Sequence, residues 1–452
     1  MMLRRTLPMA ATLLAVATMT AAAPAAAQTL RDRLPELFIF GGQSVPLRFL
    51  RPVDPANPAA GVRTSDDFVP EAGQANLAVL GFLGNWVTGN VSAIPIGTTS
   101  GGASFRFERG VPVRTTLSRG PIFGERGQTL GRGQVVVGAN FTGIQFTSVR
   151  GTPMNDLRLN FTSRDVASPC ATQPVTCPAP VAQSANDIVA LNLGIDLNLS
   201  VTSAFVTYGL FDRVDVGVVV PLVHTSLVAQ SRAEIIPFGT SSGGAATTFI
   251  GGTPDRPVLA ASSAIAGSKT GLGDVAARVK VRLYDDSRTG VSLLGDMRFP
   301  TGDEANLLGA GHLSTRVLGV YSSQFGNFAP NAAVGYLHWD TGPINDAVLA
   351  TLGFDQLVTP WATFALAVVS EFQVGKSYLQ LPEPVVITRP FTRTIRPAEI
   401  PSSSSDDALS ASIGFKLTIP SGAALVVNTL VPMTRGGPRP DFVWTLGVER
   451  NF

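Results

Sequence analysis

The chain has 452 residues, of which 45% are hydrophobic and only 15% are charged, and its formal net charge is +2. So small a charge gives no electrostatic reason to bind nucleic acid, and we expect no nucleic-acid partner. The mean hydropathy is positive at +0.25, yet beyond residue 27 the sequence lacks the ~18 consecutive apolar residues of a membrane-spanning helix.

The N-terminus has the layout of a secretory signal peptide. Arg4 and Arg5 form a basic start, residues 7–20 are apolar or small, and Ala25–Ala27 is a small-residue cleavage site followed by Gln28. We expect residues 1–27 to be removed on export, which would leave a chain without net charge. The alternative is a signal anchor that stays in place.

Residues 28–132 form an N-terminal segment without a clear hydrophobic period. Residues 51–73 are polar and contain proline, residues 75–91 are apolar, and residues 104–117 resemble a hairpin around Gly110. Such a segment predicts either a periplasmic extension or a plug inside a barrel. A plug would give the apolar stretch around Leu80 a place to bury.

The two cysteines, Cys170 and Cys177, lie in a loop that contains several prolines. An even cysteine count in an exported chain favours a disulfide. We expect no metal here, because no histidine lies nearby and two thiolates cannot complete a tetrahedral site.

Residues 133–452 alternate apolar and polar side chains with the period of a β-strand. The clearest run, 189–202, is longer than the ~5–6 residues of an ordinary strand, whereas a tilted outer-membrane strand needs ~9–11. A membrane protein without spanning helices must close its sheet, since lipid cannot satisfy an open strand edge. The sequence therefore predicts an all-β fold, a transmembrane antiparallel β-barrel of about twelve strands, with ten to fourteen as the range. The predicted strands are 134–148, 188–209, 213–226, 272–284, 290–299, 314–323, 331–340, 346–356, 361–374, 408–419, 424–432 and 442–452.

The predicted connections fall into two groups. Those after the even-numbered strands are short, whereas several after the odd-numbered strands are long, at 149–187, 227–271, 300–313 and 375–407. Short turns on one rim and long loops on the other are typical of barrels with periplasmic turns and extracellular loops.

Charged and amide side chains occupy the polar parity of several predicted strands. Unpaired charges in a dry core would be costly, whereas a water-filled lumen tolerates them. We therefore predict that the polar parity faces the lumen and that Leu193 and Ile413 face lipid. The alternative is that the polar residues pair with one another to fill a narrow barrel, and their mixed signs predict no charge selectivity. The predicted lumen residues are Asn192, Asp196, Asn198, Asp215, Asp274, Arg278, Lys280, Arg282, Asp296, Arg298 and Lys416.

The last predicted strand ends on an aromatic residue. Trp444, Leu446, Val448 and Phe452 share one parity, although Arg450 interrupts the pattern. This ending resembles the signal by which bacterial outer-membrane barrels are recognised during assembly. The resemblance implies outer-membrane lipid and the barrel assembly machinery as partners.

Residues that could carry chemistry do not form a recognisable site. Gly271 and Gly273 superficially fit a dinucleotide fingerprint, but a period-two segment follows where a helix is required, so we expect no cofactor. Ser314 lies two residues after His312 without an orienting acid, and the other histidines are isolated. We therefore predict no catalytic residues, no metal site and no enzymatic activity.

Several turn-and-strand motifs recur along the chain: Tyr208–Gly217, Val220–Pro221, Gly271–Val275, Phe299–Asp303, Leu308–Gly311, Val431–Phe452 and, upstream, Gly120–Arg126 and Leu130–Gly133. These motifs are similar to those of the outer-membrane channel family named for the meta-pathway of phenol degradation. The similarity spans roughly residues 188–452, with a shorter upstream part. The resemblance implies an outer-membrane barrel and transport of aromatic or hydrophobic small molecules, and it carries no catalytic residue.

Together these features predict a protein of the bacterial outer membrane, exported through a cleaved signal peptide. Its predicted function is a channel or transporter for passive uptake or efflux of small solutes. Two alternatives remain at this point. One is a structural or adhesive barrel without transport. The other is a barrel lipid hydrolase that depends on His312 and Ser314.

Overall fold

A computed structural model describes most of the chain beyond residue 123 and parts of the chain before it. The described residues are 28–50, 62–63, 68, 105–108, 111–114, 124–162, 187–237, 247–253, 256–286, 288–342, 344–381, 383–387, 392–420 and 422–452. The predicted signal peptide, Leu80 and the two cysteines Cys170 and Cys177 lie outside these residues.

Twelve antiparallel strands close into a barrel, which confirms the predicted fold class. Each strand pairs with its neighbours in the chain, and the last strand pairs with the first. The strands are β1 (Val135–Val149), β2 (Ile188–Phe211), β3 (Val214–Ile236), β4 (Ala276–Asp285), β5 (Thr289–Arg298), β6 (Ser314–Ser323), β7 (Phe328–Trp339), β8 (Ala347–Thr359), β9 (Ala362–Gln373), β10 (Ala408–Thr418), β11 (Ala424–Pro432) and β12 (Pro438–Asn451).

The seam between β12 and β1 is closed up to the final residue. The backbone of Phe452 accepts a hydrogen bond from Val135 at 3.1 Å and donates one to it at 2.8 Å. Higher up, the pairing shifts register between Arg439 and Val443. The chain terminus is therefore part of the barrel wall.

The two rims of the barrel differ as the sequence predicts. Turns of a few residues connect β2 to β3, β4 to β5, β6 to β7, β8 to β9 and β10 to β11. The long connections 150–187, 237–275 and 374–407 all lie at the opposite rim. β1 begins and β12 ends at the short-turn rim.

At the long-loop rim the sheet continues beyond the barrel. β2 has 24 residues and β3 has 23, so both extend well past their neighbours. Leu157–Thr162 pairs with the upper part of β2, and Ala260–Leu272 pairs with the upper part of β3. We call this four-stranded region the outer extension.

The remaining elements are short. Phe49–Leu50 pairs with Val62–Arg63 and Thr248–Phe249, and Thr152–Pro153 pairs with β1. Phe105–Glu108 and Val111–Arg114 pair antiparallel, in agreement with the hairpin predicted in this region. The other short elements are the strands Val385–Ile387 and Arg393–Ile395, the helix Leu30–Arg33 and the 3-10 helices Leu34–Phe38 and Glu304–Asn306. None of the helices in the described ranges is long and apolar enough to cross a membrane.

Along β2 and β3, the apolar side chains change from the outward face of the strand to its inward face. In the barrel part the outward residues are apolar and exposed, for example Val206 and Val218, and inward Thr207 and Asp215 are buried. In the outer extension the inward residues are mostly apolar, with Thr225 and Ser231 as polar members, whereas most of the outward ones are polar. The exchange falls at Thr202 and Leu222, which are partners in the β2–β3 register.

The inward face of the outer extension covers the main apolar core. Leu37, Phe38 and Phe49 from the N-terminal segment pack there among Phe161, Leu191 and other buried residues. The rings of Phe38 and Phe161 meet edge to face with their centroids 6.2 Å apart. Hydrogen bonds from Ser231 to the Leu37 carbonyl, at 2.5 Å, and from Ser263 to the Glu36 carbonyl, at 2.9 Å, fix this segment in place.

This arrangement differs from the prediction for four residues. Asn192, Asp196 and Asn198 lie on the outward face of the outer extension and not in the lumen. Leu193 is correspondingly buried inside, while Ile413 on β10 is 43% exposed on the outer wall. The reason is that β2 continues beyond the apolar part of the wall, where its inward face packs on protein and its outward face is polar.

Candidate functional site

The barrel encloses a chamber of about 200 Å³, lined by inward side chains of ten strands and by Glu125. Its charged residues are concentrated on β4, β5 and β6. Most of the remaining wall is apolar and includes Ile144, Phe146, Leu337 and Leu430. The chamber therefore has one polar side and one apolar side.

Asp296 on β5 is the centre of the polar side. It is 2% exposed and lies between three arginines. Arg278 donates its Nε–H to one carboxylate oxygen, Arg298 Nε lies 3.3 Å from the other, and Arg316 Nη2 lies 3.3 Å from the first. Arg278, Asp296 and Arg316 are register partners on adjacent strands, so their side chains form one row across the wall. Charge pairing lowers the cost of burying these groups.

Residues 124–130, which we call the inner segment, enter the barrel near the short-turn rim and contact its inner wall. Arg126 Nη2 lies 2.6 Å from Asp355 Oδ2, and both side chains are buried. The Leu130 amide donates to both carboxylate oxygens of Asp215 at 3.0 and 3.1 Å. Glu125 lies 3.7 Å from Arg278 and 3.6 Å from Lys280.

Gly127 allows the inner segment to approach the wall closely. A Cβ at this position would overlap the carbonyl oxygen of Gly290 on β5. The Gly127 amide donates to the Ser322 hydroxyl at 2.9 Å, and that hydroxyl donates to Gln128 at 2.9 Å. The inner segment is thus held on β3, β5, β6 and β8.

A second polar cluster lies across the barrel, on β10–β12 and β1. Lys416 Nζ lies 3.2 Å from Glu449 Oε1, with both side chains buried. The Thr142 and Thr445 hydroxyls are 3.0 Å apart, and Ser412 lies 3.0 Å from Asn428. These groups line the inner wall between the chamber and the short-turn rim.

The long-loop rim is fastened by a cluster around Asp406. Arg150 donates to Asp406 through Nε at 2.7 Å and Nη2 at 3.1 Å, Ser377 donates to the same carboxylate, and the Gly437 amide donates at 3.0 Å. Burial raises the pKa of the Asp406 carboxyl, but the hydrogen bonds from Arg150 and Ser377 outweigh burial and hold that pKa below its ordinary value. One ionised carboxylate thus joins two of the long connections to the short connection between β11 and β12.

The structure places the other predicted lumen residues as follows. Asp215, Arg278, Lys280, Asp296, Arg298 and Lys416 are all buried within the barrel. Asp274 is also buried, but it accepts hydrogen bonds from Gly302 and Ala310 and so holds the loop above β5. Arg282 is partly exposed and donates to Asp285 at 3.0 Å.

Sequence reasoning did not identify several residues of the site. Arg316, Asp355 and Glu449 lie on the inward face of β6, β8 and β12. Each falls on the polar parity of its strand, and this sequence feature could have identified them as lumen residues. Glu125 and Arg126 carry no such signal, because they lie in a segment without a period. Their place in the barrel depends on long-range pairing alone.

The predicted assembly residues Trp444, Leu446, Val448 and Phe452 are all exposed on the outer wall, and the Arg450 guanidinium lies 4.9 Å above the Phe452 ring. Their role in assembly stays a prediction. His312 is half-buried with its Nδ1 3.1 Å from the Thr341 hydroxyl, whereas Ser314 is buried in the chamber wall. Within the described ranges, no three His, Cys, Asp or Glu side chains are arranged to hold a metal ion.

Comparison with known proteins gives similarity only at the level of solved structures. No family model and no curated protein matches the chain, so the resemblance to the phenol meta-pathway family stays a prediction. An outer membrane channel from Pseudomonas putida F1 is 12% identical with a TM-score of 0.39, over 72% of this chain and 97% of that chain. The Ralstonia pickettii toluene transporter TbuX is 8% identical with a TM-score of 0.32, over 71% and 90%. A Pseudomonas aeruginosa FadL homologue is 10% identical with a TM-score of 0.30, over 70% and 89%.

Proposed function

We propose that this protein is a bacterial outer-membrane channel for the passive passage of small solutes. The observation that carries the proposal is a closed barrel with an exposed apolar wall around a polar, partly hollow interior. Exposed apolar side chains occur on the outer face of every barrel strand, as with Val218, Val279, Leu352, Ile413 and Trp444. In water such a belt would be unfavourable, whereas lipid covers it.

The height of the apolar wall supports insertion in a bilayer. On β3 the outward face is apolar from Val214 to Leu222 and becomes largely polar from His224 onward. This run agrees with the ~9–11 residues that an outer-membrane strand needs to cross the hydrocarbon. The outer extension would then stand in water beyond the membrane.

The interior favours transport over a purely structural barrel. A structural barrel needs only a filled interior, whereas this one retains a chamber of about 200 Å³. Small barrels without a transport role are filled by side chains. The apolar side of the chamber favours solutes with an apolar body.

The inner segment acts as a plug in this proposal. It lies between the chamber and the short-turn rim, and buried ion pairs with Asp355, Arg278 and Lys280 hold it there. Leu30–Phe49 lies at the other end of the barrel, under the outer extension. Passage of solute then requires the inner segment to shift.

Planar-bilayer recording and liposome swelling with the purified full chain test the proposal. We expect discrete conductance steps in KCl, and swelling of liposomes in solutions of small neutral solutes. The same preparation unfolded by heat serves as the control. A correctly folded barrel that gives neither conductance nor swelling would favour the structural or adhesive alternative.

A further inference from the structure

Three side chains of the chamber wall each carry a buried N–H donor that has no acceptor among the described residues. These donors are Nε of Arg316, Nε1 of Trp339 and Nη1 of Arg278, which lies 3.7 Å from Glu125. All three side chains line the chamber. A buried donor without an acceptor is unfavourable, so a ligand that brings an acceptor is favoured here.

The strand register gathers these donors on one side of the chamber. Arg278, Asp296, Arg316 and Leu337 follow one another across four adjacent strands. The next row toward the long-loop rim contains Arg298, Ser314 and Trp339. Same-face residues in adjacent rows are within reach of long side chains, so the Arg316 and Trp339 donors can contact the same small group.

The described lining of the chamber also carries an excess of positive charge. It includes the guanidiniums of Arg278, Arg298, Arg316 and Arg439 but only the carboxylates of Glu125, Asp296 and Glu371. Three of the arginines share Asp296. Arginine with a planar fork of donors is well suited to bind a carboxylate.

The opposite side of the chamber is mostly apolar, with Arg439 on β12 and Thr142 on β1 as its charged and polar members. In a ring of twelve strands β5 faces β11, and the lining there includes Leu430, Val443 and, on β1, Ile144 and Phe146. An apolar cavity of about 150 Å³ is large enough to hold benzene. The chamber volume of about 200 Å³ therefore accommodates one ring with a small polar substituent.

We propose that the chamber is a binding site for small aromatic carboxylates, with the carboxylate on Arg316 and Trp339 and the ring against β11, β12 and β1. This inference rests on the proposed channel function and specifies its solute class. It also replaces the expectation, drawn from the mixed charges in the sequence, that the lumen has no charge selectivity.

Calorimetric titration of the full chain in detergent tests the site with three ligands of one shape: benzoate, benzyl alcohol and benzylamine. We expect benzoate to bind at least tenfold more tightly than the alcohol, and benzylamine to bind least. Arg316→Gln should remove most of the benzoate preference and leave the affinity for benzyl alcohol unchanged. Arg158→Gln is the matched control, since Arg158 is exposed on the strand Leu157–Thr162 of the outer extension, outside the chamber.

Trp339→Phe keeps the ring and removes the donor, so it provides a second variant if Arg316→Gln folds poorly. It should lower the affinity for benzoate severalfold and leave benzyl alcohol unaffected. Equal affinity of the wild-type protein for the three ligands would overturn the inference.

Conductance and swelling separate the two proposals. A conducting protein without benzoate preference refutes only the carboxylate site, and a benzoate-binding protein without conductance refutes only the channel.

Discussion

At the scale of single residues, neighbouring positions on one strand have opposite environments. Val279 is 47% exposed on the outer wall, whereas Lys280 is 2% exposed and lies 3.6 Å from Glu125. Lys280 is also the register partner of Asp215. From sequence alone a lumen lysine would be expendable for folding. In the structure, Lys280→Ala removes the positive charge beside the carboxylates of Glu125 and Asp215, so we expect this substitution to destabilise the barrel.

Replacing Val279 by arginine should destabilise the folded barrel in lipid by about 2–4 kcal/mol, because the charge would face hydrocarbon near the middle of the wall. Reversible unfolding in urea, with the protein in lipid vesicles, measures this free energy. Val279→Leu is the control and should change stability little. A Val279→Arg protein as stable as the wild type would mean that this face is not in contact with lipid.

Breaking the buried pair between Arg126 and Asp355 should release the inner segment. Arg126→Ala leaves the Asp355 carboxylate buried without the Arg126 guanidinium. Breaking a buried ion pair in this way lowers the free energy of unfolding by about 3–5 kcal/mol. We expect larger or longer conductance steps than in the wild type. Arg158→Ala removes an exposed ion pair, which contributes little to stability because water screens it, and should leave the conductance unchanged. An unchanged conductance in Arg126→Ala would show that the inner segment does not control passage.

At the scale of elements, β2 shows what an alternating pattern can and cannot predict. The pattern correctly predicted the twelve strands, because period two specifies a strand with two different faces. It could not specify which face is inside. An apolar face next to lipid and an apolar face packed on protein have the same sequence signature. The run 189–202 is the clearest in the sequence, yet most of it lies in the outer extension.

Cysteine labelling along β2 tests the exchange of faces. Asn198→Cys, in a protein whose Cys170 and Cys177 are replaced by alanine, should react readily with a membrane-impermeant maleimide. Val206→Cys lies on the same face eight positions further along and should be protected by lipid. Both should react in detergent-free urea, which controls for intrinsic reactivity. Protection of position 198 in liposomes would place the membrane boundary higher than Thr202.

At the scale of the whole molecule, contacts between distant parts of the chain occupy both ends of the barrel. The inner segment lies near the short-turn rim, and the Asp406 cluster joins connections at the long-loop rim. Neither could be predicted from the sequence. Each depends on a single charged residue in an aperiodic stretch meeting a partner more than two hundred positions away.

The Asp406 cluster should make stability depend on pH. Because the pKa of Asp406 is lowered in the folded state, its contribution is fully present above the ordinary carboxyl pKa of about 4 and is lost as the pH falls below it. Unfolding free energies of wild type and Asp406→Asn, measured from pH 7 to pH 3, should differ by a constant amount above about pH 5 and converge at lower pH. A difference that is independent of pH would mean that the contribution of Asp406 to stability does not depend on the charge of its carboxylate.

The position of the inner segment constrains how this barrel can be made. The segment leads into β1, and the seam that completes the ring joins β1 to β12, the last of the twelve strands in chain order. Entry into a finished cylinder would require the segment to pass through the rim and slide along the inner wall. We therefore expect its enclosure to precede or accompany closure of that seam, so that the segment serves as a template for the strands that surround it.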